Sequence, residues 1–278
     1  MTRQKGRFSN KKGGKPKAYP SGGRPIRGGA AVTARPQHRP PTGGGAPSPE
    51  KMDALLRRSG ITLDSTALKC LWAYHNLLRS HNHDRDLTRI VGFEPMVLKH
   101  YADCLWVTQL TDLPASVLDV GTGAGFPGIP LKIQNPGVRF VLAEPRPKRV
   151  EFLRMVIQKL SLPLASVFEH RVVSRSFQEP VDGVITRALE TMDKTFLRTS
   201  GATRPGSKLI FMKGPNADDE IRDVQKRFKR FLKLVQDEKY TIPHTPHERR
   251  LVVWERTEEA LPSSAANAEV EESEGCGD

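Results

Sequence analysis

Bulky apolar side chains are almost missing from the first fifty residues, and so are acids: Glu50 stands alone against eleven Lys or Arg, among ten Gly and eight Pro. Such a segment cannot bury enough surface to offset the entropy of ordering, so residues 1–50 are expected to form a disordered basic tail. The opposite end lacks bases: residues 257–278 hold seven acids and no Lys or Arg, an expected acidic tail. Of the net charge of +13, residues 51–256 carry +10. No run of ~18 apolar residues occurs, so no transmembrane helix is expected and the reading is a soluble, cytoplasmic protein. The three cysteines, Cys70, Cys104 and Cys276, are far apart without C-x-x-C spacing, which argues against a disulfide framework and a thiolate metal site. His81-Asn-His83 and His244-Thr-Pro-His247 lack the neighbouring ligands of a metal motif, so no metal is expected. The basic tail lacks the apolar face of an organellar transit peptide.

Polycationic chain gathers near phosphate backbones by counterion release, without reading sequence, which makes nucleic acid the natural partner. A merely solubilising arm fits the same charge. At 37% apolar content, the rest is long enough for one good-sized core. From residue 51 the pattern turns helical. Leu68, Leu71, His75 and Leu78 repeat at helical spacing after Asp64, a candidate N-cap, and Leu98, Tyr101 and Leu105 do so after Glu94-Pro95. Residues 51–112 therefore read as a helical lead-in. Residues 113–256 read as a Rossmann-like α/β core: strands near 117–120, 139–143, 165–172, 181–186 and 207–213, with helices near 127–133, 148–160 and 216–228. Two further strands, near 232–241 and 250–256, are placed to close a seven-stranded, mostly parallel sheet with an antiparallel end.

The first strand runs into V-L-D-V-G-T-G-A-G-F-P-G, residues 117–128. Gly123 to Gly128 spell G-x-G-x-x-G, the dinucleotide fingerprint, which admits a nicotinamide enzyme. The register favours another ligand. Asp119 precedes Gly121 by two, and a carboxylate beside a pyrophosphate is repelled, whereas one beside the ammonium of S-adenosylmethionine is attracted. Glu144 ends the second strand, where an acid accepts hydrogen bonds from ribose hydroxyls in either enzyme class. A tight strand-to-helix connection with no ligand is the plain alternative.

The blocks D-V-G-T-G-A-G-F-P-G-I-P-L (119–131), K-R-V-E-F-L-R (148–154), D-G-V-I-T-R-A-L (182–189), M-K-G (212–214) and H-E-R-R-L-V-V (247–253) resemble, in order, the bacterial 16S rRNA guanine-N7 methyltransferases, also called glucose-inhibited division protein B. Residues 86–105 resemble that family's helical lead-in, and the resemblance covers about residues 52–256. It implies a Rossmann-like class I S-adenosylmethionine-dependent methyltransferase acting on N7 of one guanine in a conserved loop of 16S rRNA near the decoding centre. It implies 16S rRNA or the small ribosomal subunit as partner, and a monomer is expected. Cofactor contacts are expected from Asp119, Gly121, Gly123, Gly125, Phe126, Glu144, Val172, Val173 and Arg187. RNA contacts are expected from His100, Lys148, Arg149, Lys213, Arg249 and Arg250. The chain departs from the family pattern at Val173, where an acid is usual, at Asp86 for Asn and at Cys104 for Ser; at Val173 a backbone amide is left to meet adenine.

Guanine N7 has an in-plane lone pair and no proton, so no general base is expected, and Arg187 and Lys213 are positioning candidates. A cation against the guanine imidazole edge opposes the positive charge that develops there, so Arg187, Lys213, Arg249 and Arg250 are expected to meet phosphates or the cofactor carboxylate. Plain alternatives stand beside these roles: Arg187 paired with Asp182 or Asp119, Lys213, Arg249 and Arg250 as ordinary surface, Phe126 as turn filler, His100 and Asp103 as caps. Lys226 to Lys233 interleaves five bases with Phe228 and Phe231, whose spacing reads as core anchors. A non-catalytic RNA-binding protein on the same fold, or a nicotinamide oxidoreductase, remain the other classes.

Overall fold

A computed structural model describes residues 46–177 and 179–258. The expected basic tail up to residue 45 and the acidic tail from 259 lie outside the described residues. Helix α1 (Pro49–Arg58) begins two residues before the expected boundary: Ser48 caps it by accepting from the Lys51 N–H, and proline opens the first turn. In α2 (Ser65–Arg85) the Asp64 carboxylate accepts from the Thr66 and Ala67 amides, as its place before an apolar repeat predicts. Asp86 ends α2 in the left-handed region at φ 46°, which Asn and Asp tolerate best; Asp can therefore replace the family's Asn without backbone cost. Short helical pieces follow: α3 (Phe93–Met96), a π-helical turn (Val97–Ala102), α4 (Asp103–Leu105) and α5 (Val107–Leu110).

The core alternates as expected: β1 (Ser116–Val120), α6 (Gly128–Gln134), β2 (Arg139–Ala143), α7 (Pro147–Lys159), β3 (Ala165–Phe168), β4 (Gly183–Arg187), α8 (Met192–Thr199), β5 (Lys208–Lys213), α9 (Asp218–Phe228), β6 (Leu232–Thr241) and β7 (Glu248–Arg256). The sheet order is β3-β2-β1-β4-β5-β7-β6; β1 to β5 pair in parallel, and β7 runs antiparallel to both its neighbours. A dinucleotide-binding sheet has the parallel order 3-2-1-4-5-6, so the antiparallel β7 between β5 and β6 sets the nicotinamide reading aside. Helix α8 was not expected, and β3 stops at Phe168, short of 172, where the chain leaves the sheet for the ligand edge.

The period-2 alternation of the strands sorts their side chains onto two faces. Val117, Phe140, Ile185, Ile210 and Val253 pack on one face with α2, α6 and α7, in a single core that includes Leu71, Tyr74 and Leu105 of the lead-in. Leu118, Val184, Leu209, Phe211 and Trp254 pack on the other with Phe196 of α8 and Ile221 and Val224 of α9. Phe228 and Phe231 belong to that second core, as their spacing implied. The lead-in is thus built into the sheet's cover, which lets it reach the ligand edge.

Candidate active site

The chain leaves β1 through Gly121, Gly123 and Gly125, all at positive φ. Gly121 at φ 71° lets its own amide and that of Thr122 reach the Ala143 carbonyl at 3.0 and 3.1 Å, which ties the turn to the end of β2. A Cβ at Gly121 would stand 2.6 Å from the Leu189 side chain, and one at Gly125 would stand 2.5 Å from Ile129. From outside, the Tyr74 hydroxyl of α2 donates to the Ala124 carbonyl at 2.7 Å. Asp119 does not face a ligand space: its Oδ2 accepts from the Thr122 hydroxyl at 2.6 Å and the Gly128 amide at 2.8 Å, and the residue is fully buried. The carboxylate expected beside an ammonium instead braces the turn from within. Burial pushes its pKa up to about 7, against the pull of those two donors, and its Oδ1 has no hydrogen-bond partner.

Two cavities meet at Gly121, outside the carboxyl ends of the strands. The smaller, about 240 Å³, is walled by Ala143, Pro145, Val172 and Leu189. Glu144 lies beside it, 3% exposed, accepting from the Gly123 amide at 3.1 Å and the Arg146 amide at 2.9 Å, with Arg149 Nη1 at 3.9 Å. A carboxylate has about four lone-pair positions, so two remain for ribose hydroxyls. Apolar walls for a purine beside an acceptor for its ribose fit an adenosine group. Val172 is in that wall, and its carbonyl accepts from Arg198. The Val173 amide donates to the Ser176 hydroxyl at 2.8 Å, and Val173 does not line this cavity.

The larger cavity, about 470 Å³, takes its far wall from the lead-in. There the His100 ring stacks on Phe126 with centroids 4.3 Å apart and planes at 17°, and the Arg187 guanidinium lies 5.1 Å from the Phe126 centroid. Phe126 therefore lines this cavity and not the adenosine-sized one. Arg187 pairs with neither Asp182 nor Asp119; its Nη1 donates to Asp103 Oδ2 at 3.2 Å, and its Nη2 lies 3.1 Å from His100 Nδ1. A guanidinium only donates, so Nδ1 accepts. Burial, then the Arg187 charge, hold the His100 pKa down to about 3, and the neutral ring's Nε2–H donates to the Thr88 hydroxyl at 2.8 Å. Asp103, 2% exposed, gives its other oxygen to Arg249 Nε at 3.0 Å. Cys104 is buried behind this network, and burial raises its thiol to about 12.

Lys213 reaches the cavity wall but spends its ammonium on the Glu190 carbonyl and Glu220, each at 2.7 Å. Arg249 lines the larger cavity, whereas Arg250 does not. Arg250 is 5% exposed and is held by both oxygens of Asp237 and by Asp218 at 3.0 Å, so most of its donors are spent within the fold and the side chain is closed off from solvent. Lys148 is exposed on the first turn of α7, outside both cavities; Arg149 donates to the Asp86 carbonyl and bridges the turn to the lead-in. Thr88, Lys99 and Leu189 line the site without having been singled out; the lead-in block 86–105 was the only sequence signal for the first two, and the block 182–189 for Leu189. Among the described residues no group of three or more His, Cys, Asp or Glu could hold a metal ion.

A sheet of order 3-2-1-4-5-7-6, an acid-braced glycine turn and paired cavities on either side of it give the chain the Rossmann-like fold of the class I S-adenosylmethionine-dependent methyltransferases. The family model described as rRNA small subunit methyltransferase G matches residues 67–252. Ribosomal RNA small subunit methyltransferase G 2 of Syntrophobacter fumaroxidans is 48% identical over 218 residues, 78% of this chain and 44% of that protein. The protein of the same name from Bdellovibrio bacteriovorus is 36% identical over 74% of this chain and 81% of its own. Ribosomal RNA small subunit methyltransferase G of Carboxydothermus hydrogenoformans is 32% identical over 74% and 90%. The chain belongs to the rRNA small subunit methyltransferase G family, although it spans less than half the length of the first of these relatives.

Proposed function

We propose that the protein transfers a methyl group to N7 of one guanine in 16S rRNA, on the free RNA or the small ribosomal subunit. The observation that carries this reading is that, among the described residues, the larger cavity's buried polar side chains are committed to one another. Both nitrogens of His100 and both oxygens of Asp103 are bonded, and Arg187, Lys213 and Arg249 are paired. A wall so committed suits an acceptor that needs no deprotonation, and guanine N7 has no proton to give.

S-adenosylmethionine, when bound, supplies an electrophilic methyl carbon. Glu144, Ala143, Pro145 and Val172 would hold its nucleoside, and the backbone of Gly121 and Gly123 lies between the two cavities. The remaining work is orientation, worth ~7–11 kcal/mol in favourable cases. Phe126 and His100 provide a stacked, uncharged wall, and Asp103 fixes Arg187 and Arg249 from two sides. It also offsets their charge, which reduces the opposition to positive charge arriving on the purine.

Transcribing 16S rRNA with 7-deazaguanosine in place of guanosine removes N7 and keeps the Watson–Crick edge. Transfer should vanish on that RNA while binding persists; continued methylation would overturn the N7 assignment.

A further inference from the structure

A third cavity, about 410 Å³, lies against the larger one, with Arg249 in the wall of both. Its sides come from the segment after β5, at Pro215 and Asn216, and from β6 and β7, at Lys239, Tyr240, Thr241 and Glu248. Register puts Tyr240 opposite Arg249 on one face of the β6–β7 pair, and Thr241 opposite Glu248, with Lys239, on the other, so the cavity at this end of the sheet is bordered from both faces. Nothing in the account so far uses it.

Its polar groups are uncommitted. The side chains of Asn216, Lys239 and Glu248 are exposed and make no hydrogen bond or salt bridge among the described residues. Arg249 gives Nε to Asp103 and Nη1 to the Glu248 carbonyl, and its Nη2 donates to none of the described residues. The Tyr240 hydroxyl is enclosed without a hydrogen-bond partner, and its ring stacks on Trp106 with centroids 6.0 Å apart.

The mixture of groups restricts the ligand. Glu248 disfavours a bare anion, and Lys239 with Arg249 disfavour a cation. A ligand carrying both anionic groups and hydrogen-bond donors suits this lining: a phosphate for Lys239 or for Arg249, a base edge for the Asn216 amide and the Glu248 carboxylate. The volume lies within the range of small-ligand sites.

We propose that this cavity is a subsite for a nucleotide flanking the methylated guanine on the same RNA strand, with Arg249 as the partition between target and neighbour. It rests on the reading of the larger cavity as the target site.

The test uses the full chain and 16S rRNA lacking the modification. Asn216→Ala and Lys239→Ala should each raise KM for RNA about tenfold and leave S-adenosylmethionine affinity unchanged. Lys239→Ala should also flatten the slope of log affinity against log salt by roughly 0.7, the loss of one phosphate contact on a single strand. A photo-crosslinking residue in place of Asn216 should attach within two nucleotides of the methylated guanine. If wild type methylates the RNA but both KM values are unchanged, or crosslinks fall elsewhere, the subsite is refuted. If wild type transfers no methyl, the target-site reading fails first.

Discussion

Adjacent arginines on a strand cannot share a role. Arg249 and Arg250 face opposite sides of β7, one onto the cavity and the other into a clamp with Asp237 and Asp218. Removing Arg250 should cost roughly 2 kcal/mol of stability, below the 3–5 typical of a broken fully buried pair because Asp218 is exposed. Urea unfolding of Arg250→Ala checks this, with RNA affinity of the folded protein unchanged; Arg249→Ala should show the reverse, a raised KM for RNA with little loss of stability. Asp119 gives a pH signature. Its folded pKa of about 7 lies above the unfolded carboxylate value, so its contribution is fully present near pH 4 and is lost as pH rises towards and through 7. The stability of wild type relative to Asp119→Asn should therefore fall between pH 4 and 7 in paired unfolding curves, and parallel curves would contradict the burial argument. The pairing of Arg249 with Asp103, 146 positions away, has no local sequence signal, whereas the alternation that divides it from Arg250 is legible in the sequence.

At the scale of elements, the strand–turn–helix from Ser116 to Gln134 was legible because a short, mostly apolar run leads straight into glycines, which are favoured where φ is positive. Gly121→Val combines a strained φ with a Cβ contact on Leu189, and it should abolish S-adenosylmethionine binding by calorimetry while circular dichroism stays folded. Helix α8 escaped the sequence pattern because its buried face, Met192, Thr195, Phe196 and Thr199, is half threonine and only eight residues long. Threonine there satisfies its hydroxyl on the preceding turn, as Thr199 does on the Thr195 carbonyl, so a polar letter hides a core position. The lead-in was legible as helix from its periodicity, and as part of the site only through the family resemblance at His100 and Asp103. Its π-helical turn carries His100 and is followed directly by Asp103, and no periodicity at 3.6 residues announces that.

At the scale of the whole molecule, charge is unevenly placed. Residues 1–45 carry eleven bases and no acid, a density that attracts phosphate backbones through counterion release without reading sequence. Deleting them should weaken RNA association and flatten its salt dependence, with S-adenosylmethionine affinity intact; an unchanged salt slope in a filter-binding titration would assign the tail no part in RNA capture. The cavities, by contrast, are small and shaped, and they lie where the lead-in, the glycine turn and the β6–β7 end meet. The most direct measurement is methyl transfer itself: the protein, labelled S-adenosylmethionine and small subunits lacking the modification, followed by nucleoside analysis and chemical cleavage at 7-methylguanosine. The account predicts one labelled 7-methylguanosine per subunit at a single guanine of 16S rRNA. Label in a different nucleoside, or label scattered over many guanines, would contradict it.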